Sequence, residues 1–587
     1  MENVQVQGTE IAIKGIAAAP GIVVGPAHVY CRQTVRAQMK PITPPETDAE
    51  IERLRSAVGR SEKELEKIVA YAAEKLDPDQ TKILEAQIMI LGDAVLMGAI
   101  ERRIRTELTN AEFVVFDEIS KYKRLMLSAP DEYMHERAHD VDDVMNRIIR
   151  NIQDQKLVSR LEGESIIVTE TLSPADTVIF SRNRVLGYAT DTGGMTSHAA
   201  ILSRSLKIPA VVGLRCATRY VRPGDTIALD GYSGMFLINP SEESLQALHR
   251  KSDRFREFEE RLAEIVTLDA ETLDHKHIEL SANIEFAEEL AFAKEQGAAG
   301  IGLFRTESQL IGRNAYPPEE ELYQTYRTIV DTMFPHNVII RVFDVGGDKI
   351  APGSFHENNP FLGLRGIRVL LDHPDLLVTQ LRAILRASNR KNVRIMFPMV
   401  STVGEIRAAR GYVRQAMGEL GARGDAFDAG IKIGIMVETP AAALVADHMA
   451  PEVDFFSIGT NDLIQYVMAV DRDNIAVAPL YQQFNPAVLR AIRMIIDAGH
   501  AHHRWVGMCG EMAADPLATL LLVGLGLDEF SVIPSVLPEI KKIIRSVKYK
   551  EARKVAERIF ALTDERAIRD ELAAVLKHQI PEIPLEP

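Results

Sequence analysis

The spacing of apolar residues changes character three times along the chain. In the first 30 residues short apolar runs are broken by Gly and Pro, as in IAIKGIAAAPGIVVGPAHVY, and the pattern predicts short β segments. From Ile51 the period lengthens. Ile51, Leu54, Val58, Leu65, Ile68 and Ala72 recur three, four and seven apart, which predicts a helical seam. Helical spacing runs to about Asn151 and predicts an all-α domain of about four helices. Asp77-Pro78 reads as a helix start, and Thr109 with Glu112 as a capping box.

From about residue 160 the pattern returns to α/β, with strands predicted at SIIVT, VLGYAT, PAVVG, DTIALD and MFLIN. One helical region lies between them. The first 30 residues are expected to join this unit, with the helical domain inserted in it. Ser241 to Ile265 is highly charged and helical, and reads as a linker helix. Beyond it one theme repeats: HIELSANI, AAGIGLFRTE, NVIIRVFDVGG, NVRIMFPMV, IKIGIMVETP, VDFFSIGTND, RWVGMCGEMA and EFSVIP alternate with helical stretches. Eight βα units close a TIM barrel; an open doubly wound sheet is the alternative. The expected organisation is an α/β domain over 1–30 and 152–240, an inserted helical domain over 31–151, a linker helix over 241–265 and a (β/α)8 barrel over 266–587.

Composition narrows the function classes. A chain of 587 residues is too long for one hydrophobic core. A net charge of −15 argues against a general nucleic-acid binder and is compatible with a basic protein partner. No apolar run is long enough to cross a bilayer, and the N-terminus carries no export signal. Cys31, Cys216 and Cys509 lie far apart, without metal or disulfide spacing, which fits a reducing cytoplasm.

In a barrel the C-terminal strand ends build the active site. Here those ends carry Asn283, Arg305, Arg341 with Asp344, Glu438, Asn461 with Asp462, and Cys509 with Glu511. Glu438 and Asp462 are hard oxygen ligands suited to Mg²⁺, which takes one or two carboxylates and fills its shell with water and substrate oxygens. Arg305 and Arg341 suit a phosphate, because guanidinium forks match its oxygens. Cys509 reads equally as a small buried hydrophobe or as a proton donor. Asp344 to Lys349, DVGGDK, either cradles phosphate or reverses the chain. Arg365 and Arg368 are anion contacts or ordinary ion pairs.

His198 lies in GGMTSHAAILSRSLKIPAVVG, just after Thr196 and Ser197, both good N-caps. A ring in the first turn of a helix faces the positive end of the dipole, which disfavours imidazolium and keeps the ring nucleophilic. The same N-terminus would stabilise a phosphate attached to it. Core histidine and helix cap remain open as readings of the residues alone.

That segment resembles the phosphohistidine motif of the PEP-utilising enzymes. With GIGLFRTE, FDVGGDK, NPFLGLRGIR, IMFPMV, GIMVETPAA, FFSIGTNDLIQY and GMCGEMA in order, nearly the whole chain is similar to the Enzyme I branch of that family, which opens the phosphotransferase system. The resemblance implies a swivelling phosphohistidine α/β domain, an inserted carrier-docking helical bundle and a PEP-binding barrel that dimerises. It implies that His198 attacks the phosphorus of phosphoenolpyruvate, that Arg305 and Arg341 bind the phosphate, and that Glu438 and Asp462 hold Mg²⁺. Asn461 and Arg472 would complete the substrate site, and Cys509 would protonate the enolate to give pyruvate. The phosphoryl group would pass to a histidine of a small HPr-type carrier in the cytoplasm. A dikinase would need an added ATP-binding domain for which the chain has no spare length, and a PEP-sensing homologue should lack one of these groups. The absence of a sensory segment ahead of residue 1 favours the sugar branch over a nitrogen-type one. The chain departs from the pattern at Met195, where many members of that branch carry Arg, at Asp473, and in the continuation FRTESQLIG.

Overall fold

The computed structural model describes residues 4–7, 10–30, 37–72, 84, 87–128, 132–154, 163–182, 184–194, 197–310, 313, 315–346, 359–472, 474, 477–581 and 583. Two units divide the chain, Met1–Arg254 and Phe255–Leu585. The division falls inside one continuous helix, Glu242–Ile265.

In the first unit the Val- and Ile-rich runs form nine strands: β1 (Val4–Gln7), β2 (Glu10–Lys14), β3 (Ile16–Ala19), β4 (Ile22–Tyr30), β5 (Ser165–Thr169), β6 (Val185–Thr190), β7 (Ala210–Val212), β8 (Thr226–Asp230) and β9 (Met235–Ile238). They make one sheet in the order β1-β2-β9-β8-β4-β5-β6-β7-β3. All five residues of β5 are buried, as a central strand covered on both faces requires. It pairs in parallel with β4 and β6. The chain therefore leaves the sheet after Tyr30 and re-enters it at Ser165. Between them run the helices Thr47–Ala72, Ala94–Glu107, Ala111–Ser128 and Glu132–Ile152. Ile51, Leu54, Leu65, Ile68 and Ala72 are buried along one face of the first, and Val58 is half-buried at its edge.

The Thr109 capping box does not form. The Thr109 hydroxyl donates back to the Glu107 carbonyl. The Glu50 carboxylate of the neighbouring helix accepts the Ala111 N–H at 2.8 Å instead. Glu112 is held by Arg53 and Asn110. A tertiary acceptor has displaced the local one. Asp77-Pro78 lies outside the described residues.

In the second unit the repeated runs become β10 (Glu279–Ile284), β11 (Ile301–Phe304), β12 (Val338–Arg341), β13 (Val393–Phe397), β14 (Lys432–Val437), β15 (Phe455–Ile458), β16 (Trp505–Met508) and β17 (Glu529–Val532). Each pairs in parallel with the next, and β17 closes onto β10, which excludes the open sheet. The fold class is thus a multidomain α/β chain ending in a (β/α)8 barrel. Alternation along the strands sorts the side chains. Leu303, Ile339, Met396, Met436, Phe455 and Cys509 pack together as one interior cluster. Their strand neighbours, such as Ile340, Ile435, Phe456 and Ile458, pack into a second, larger core with the helices. Each fully buried Ile or Phe there contributes roughly 1.5–3 kcal/mol. Helix starts follow local chemistry: Thr402 and Glu405 form a capping box before Val403–Arg423, and Pro stands at the head of Pro374–Ala387, Pro486–Ala501 and Pro516–Leu525.

Candidate active site

The carboxyl end of the barrel holds a buried ionic cluster. Arg341, the last residue of β12, pairs with Glu307 at 2.8 Å and with Asp344 at 3.2 Å. The other oxygen of Glu307 accepts the Asp344 N–H at 2.7 Å, so this carboxylate fixes both the arginine and the turn after it. The Arg341 Nε is buried without a hydrogen-bond partner. Burial works against the charge on Arg341, but the facing Glu307, Asp344 and Glu438 outweigh it and raise its pKa.

Arg365 sits deeper still, 1% exposed. Its guanidinium donates to both oxygens of Asp344, at 3.2 and 3.1 Å, and to both of Asp462, at 2.9 Å each. The segment is held there by a β-bridge between Gly346 and Arg365 and by the Gly366 N–H on the Val345 carbonyl at 2.9 Å. Gly366 has φ +59°, and a Cβ on it would lie 2.9 Å from the Met399 Cβ. Neither the dihedral nor the space admits a side chain.

Glu438 follows directly on β14 and is 1% exposed. Its Oε1 accepts the Met399 N–H at 2.6 Å, and Met399 adopts a left-handed φ of +58° to present it. Burial, then the neighbouring Asp462 and Asp344, push the Glu438 pKa well above the carboxylate range against the pull of Arg365 and Arg341. Asp462 stands in the first turn of the helix Thr460–Met468, where the dipole favours an anion.

Cys509 follows β16 and is buried. Burial pushes its thiol up to about 11, and the charge of Glu438 adds to that push, while a hydrogen bond from Ser457 and the charges of Arg341 and Arg305 work against it. The Asn283 amide pins the Cys509 carbonyl at 3.0 Å and the Ser531 carbonyl at 3.0 Å. Gly510 is packed so tightly that a Cβ would lie 2.5 Å from the Thr460 N.

Around this core lies a half-open rim. Arg305 pairs with Glu285. Asn461 donates to Glu511 at 2.9 Å and accepts the Glu511 N–H at 2.8 Å. The Tyr481 hydroxyl donates to the Asn461 carbonyl at 3.2 Å. Burial raises the Tyr481 pKa, with Glu511, Arg472 and Asp462 all within electrostatic reach of its ring. Arg472 is half-buried, its N–H on the Gln465 side chain at 3.2 Å. Arg368, unlike Arg365, binds the Gly363 carbonyl at 3.0 Å.

In the first unit His198 is the first residue of the helix His198–Ser205, with Ser197 as its N-cap. The Ser197 hydroxyl accepts the Ala200 N–H at 3.4 Å and donates to the Gly194 carbonyl at 2.8 Å. Gly193 takes φ +106°, which a glycine adopts without strain. Met195, Thr196, Lys349 and Asp473 lie outside the described residues.

Of the residues singled out from sequence, Arg341, Glu438, Asp462 and Cys509 converge, Arg305, Asn461 and Arg472 lie at the rim, and His198 belongs to the other unit. Arg365 proves central rather than secondary. Glu307, Ser457, Tyr481 and the Met399 backbone went unread. The signal for Ser457 was present as one polar residue in the apolar run FFSI, and for Glu307 as a carboxylate just past a strand end.

Among the described residues no group of three or more His, Cys, Asp and Glu side chains is arranged to hold a metal. Mg²⁺ asks for less, one or two carboxylates with substrate and water oxygens. Glu438, pushed toward neutrality by burial and then by Asp462 and Asp344, is a position a cation would relieve. Asp462 has both oxygens engaged by Arg365, yet a carboxylate offers about four lone-pair sites, so two remain. The donor set fits the ion.

An eight-stranded parallel barrel with two buried arginines, a carboxylate cluster and a buried thiol at its carboxyl end is an enzyme scaffold for an anionic substrate. Three family models match in order: PEP-utilising enzyme, N-terminal, over residues 14–137; the mobile domain over 161–234; and the PEP-binding domain over 259–549. The chain belongs to the PEP-utilising enzyme family. It is 43% identical to the phosphoenolpyruvate-protein phosphotransferase of Geobacillus stearothermophilus, over 94% of this chain and 96% of that one. With that of Bacillus subtilis (strain 168) it shares 40% identity over 94% of this chain and 97% of that one.

Proposed function

We propose that this chain moves the phosphoryl group of phosphoenolpyruvate to its own His198 and then to a histidine of an HPr-type carrier, releasing pyruvate as the first step of a phosphotransferase system. The observation that carries the reading is the buried pairing of Arg341 and Arg365 with Glu307, Asp344 and Asp462 beside Glu438 and Cys509, in a chain similar over nearly its whole length to such transferases. Phosphoryl transfer asks a protein for positioning and charge neutralisation more than for covalent chemistry.

In this reading Arg341, whose Nε lacks a partner, and Arg305 bind the phosphate. Asn461 and Arg472 orient the rest of the substrate. Glu438 and Asp462 hold Mg²⁺, which would supply neutralisation of the substrate oxygens. Arg365 holds Asp344 and Asp462 in place through its paired hydrogen bonds to each. Cys509, its thiol protonated at neutral pH, gives its proton to the methylene carbon of the enolate. His198, the first residue of its helix, is the nucleophile, and the free N–H groups of a helix start favour a bound phosphate. The carrier docks on the helical insertion, the barrel dimerises and the reaction is cytoplasmic. Among the described residues no helix is long and apolar enough to cross a membrane.

The test is to supply PEP, Mg²⁺ and a small histidine-bearing carrier. Pyruvate is expected in a one-to-one ratio with carrier phosphorylation, both lost in His198→Ala. Pyruvate released without carrier phosphorylation would exclude the transfer.

A further inference from the structure

We propose that Ser457 is a positioning residue for the carbon-protonation step, holding the Cys509 sulfur and stabilising the thiolate left when its proton departs. This deepens the reading of Cys509 as proton donor and rests on it. Strand alternation puts Ser457 on the inner face of β15. Phe455 packs inside the barrel with Cys509, while Phe456 and Ile458 pack outside. Ser457 is 1% exposed, and its hydroxyl donates to the Cys509 Sγ at 3.2 Å. The Sγ contact with the Ile458 carbonyl, at 3.8 Å, is longer and uses the S–H. Leu303, Ile339, Met396, Met436 and Phe455, buried in the same cluster, have no hydrogen-bond donor in their side chains, and Trp505 packs at its edge.

In the step, the π electrons of the enolate form a new C–H bond at the methylene carbon. The S–H bond breaks and its electron pair stays on sulfur. Water later returns a proton to the thiolate. The charges of Arg341 and Arg305 ease a thiolate there, but a buried thiolate stays expensive without a hydrogen-bond donor already aimed at it. Ser457 supplies that donor. Its hydrogen bond is neutral before transfer and charge-assisted after it, about twice as strong, so it favours the transition state over the ground state. A serine placed only to fill space would not have this property.

The readout is Mg²⁺-dependent exchange of the pyruvate methyl hydrogens with D₂O, followed by NMR on the full-length chain. Oxalate, a planar mimic of the enolate, serves as a binding probe. Ser457→Ala is expected to slow exchange about 10- to 100-fold, the loss of a hydrogen bond to a charged group, with oxalate affinity unchanged. Ser457→Thr, which keeps the hydroxyl, is expected to retain exchange. Wild-type exchange in Ser457→Ala, with Cys509→Ala inactive, would overturn this proposal and leave the donor standing. Loss of oxalate binding alongside exchange, or a Thr variant as slow as the Ala variant, would also overturn it. Normal exchange in Cys509→Ala would instead remove the donor itself.

Discussion

Arg365 ties two aspartates together through a single guanidinium, and no smaller cation reproduces that geometry. Arg365→Lys keeps one charge but loses the bidentate fork on each side. PEP turnover is expected to fall about 100-fold, by the loss of about 3 kcal/mol from charge-assisted bonds. Arg365→Met leaves Asp344 and Asp462 buried without their shared partner and is expected to destabilise the chain by about 3–5 kcal/mol in urea unfolding. Arg365 and Arg368 are two arginines three residues apart in the sequence, and nothing in their spacing separates them. The fold does, by bridging Gly346 to Arg365 and leaving Arg368 on loop carbonyls. Burial, Asp462 and Asp344 push the Glu438 carboxyl toward its protonated form, and an ion bound there would have to displace that proton. Mg²⁺ affinity measured by calorimetry is therefore expected to rise with pH across neutrality, with protons released on binding. A pH-independent affinity in this range would remove Glu438 as a ligand.

Elements that depend on one strained or buried residue extend the account beyond the cluster. Gly366→Ala demands φ +59° of an alanine and pushes its Cβ against Met399. A loss of about 1–3 kcal/mol is expected, with a larger fall in turnover than in stability because Arg365 and the Met399 N–H move together. At the opposite end of the barrel, Glu529 heads β17 beside Glu279 of β10 and is buried. Its Oε1 and Oε2 fill the space above Gly302 and Gly507. Burial and Glu279 raise its pKa. Such a group is neutral in both states at low pH. As pH rises past the free carboxylate range the unfolded chain ionises first, and stability is lost up to the folded pKa. Glu529→Gln is expected to flatten that decline between pH 5 and 8, read from urea midpoints, with little change at pH 4. The barrel strands were legible because short, nearly continuous apolar runs, buried on both faces, recur between longer helical stretches. The Thr109 cap was not, because Glu50, far away in sequence, supplied a better acceptor.

Across the whole chain, the count of eight βα runs predicted a closed barrel, and β17 paired with β10 closes it. The strand-end rule found Arg341, Glu438, Asp462 and Cys509 for the same reason, since a packed barrel leaves polar groups few other places. It missed Ser457, an inward residue one position before the end of β15, and it missed contributors from loops such as Tyr481. The division of the chain into Met1–Arg254 and Phe255–Leu585 puts His198 in one unit and the ionic cluster in the other. A chain ending after the helix Glu242–Ile265 is therefore expected to accept a phosphoryl group from a phosphorylated carrier but none from PEP. The most direct measurement is a phosphopeptide map after labelling with PEP and Mg²⁺ alone. One acid-labile phosphate per chain is expected, on His198, and absent from both His198→Ala and Glu438→Ala. An acid-stable label, or an undiminished one in His198→Ala, would contradict the account.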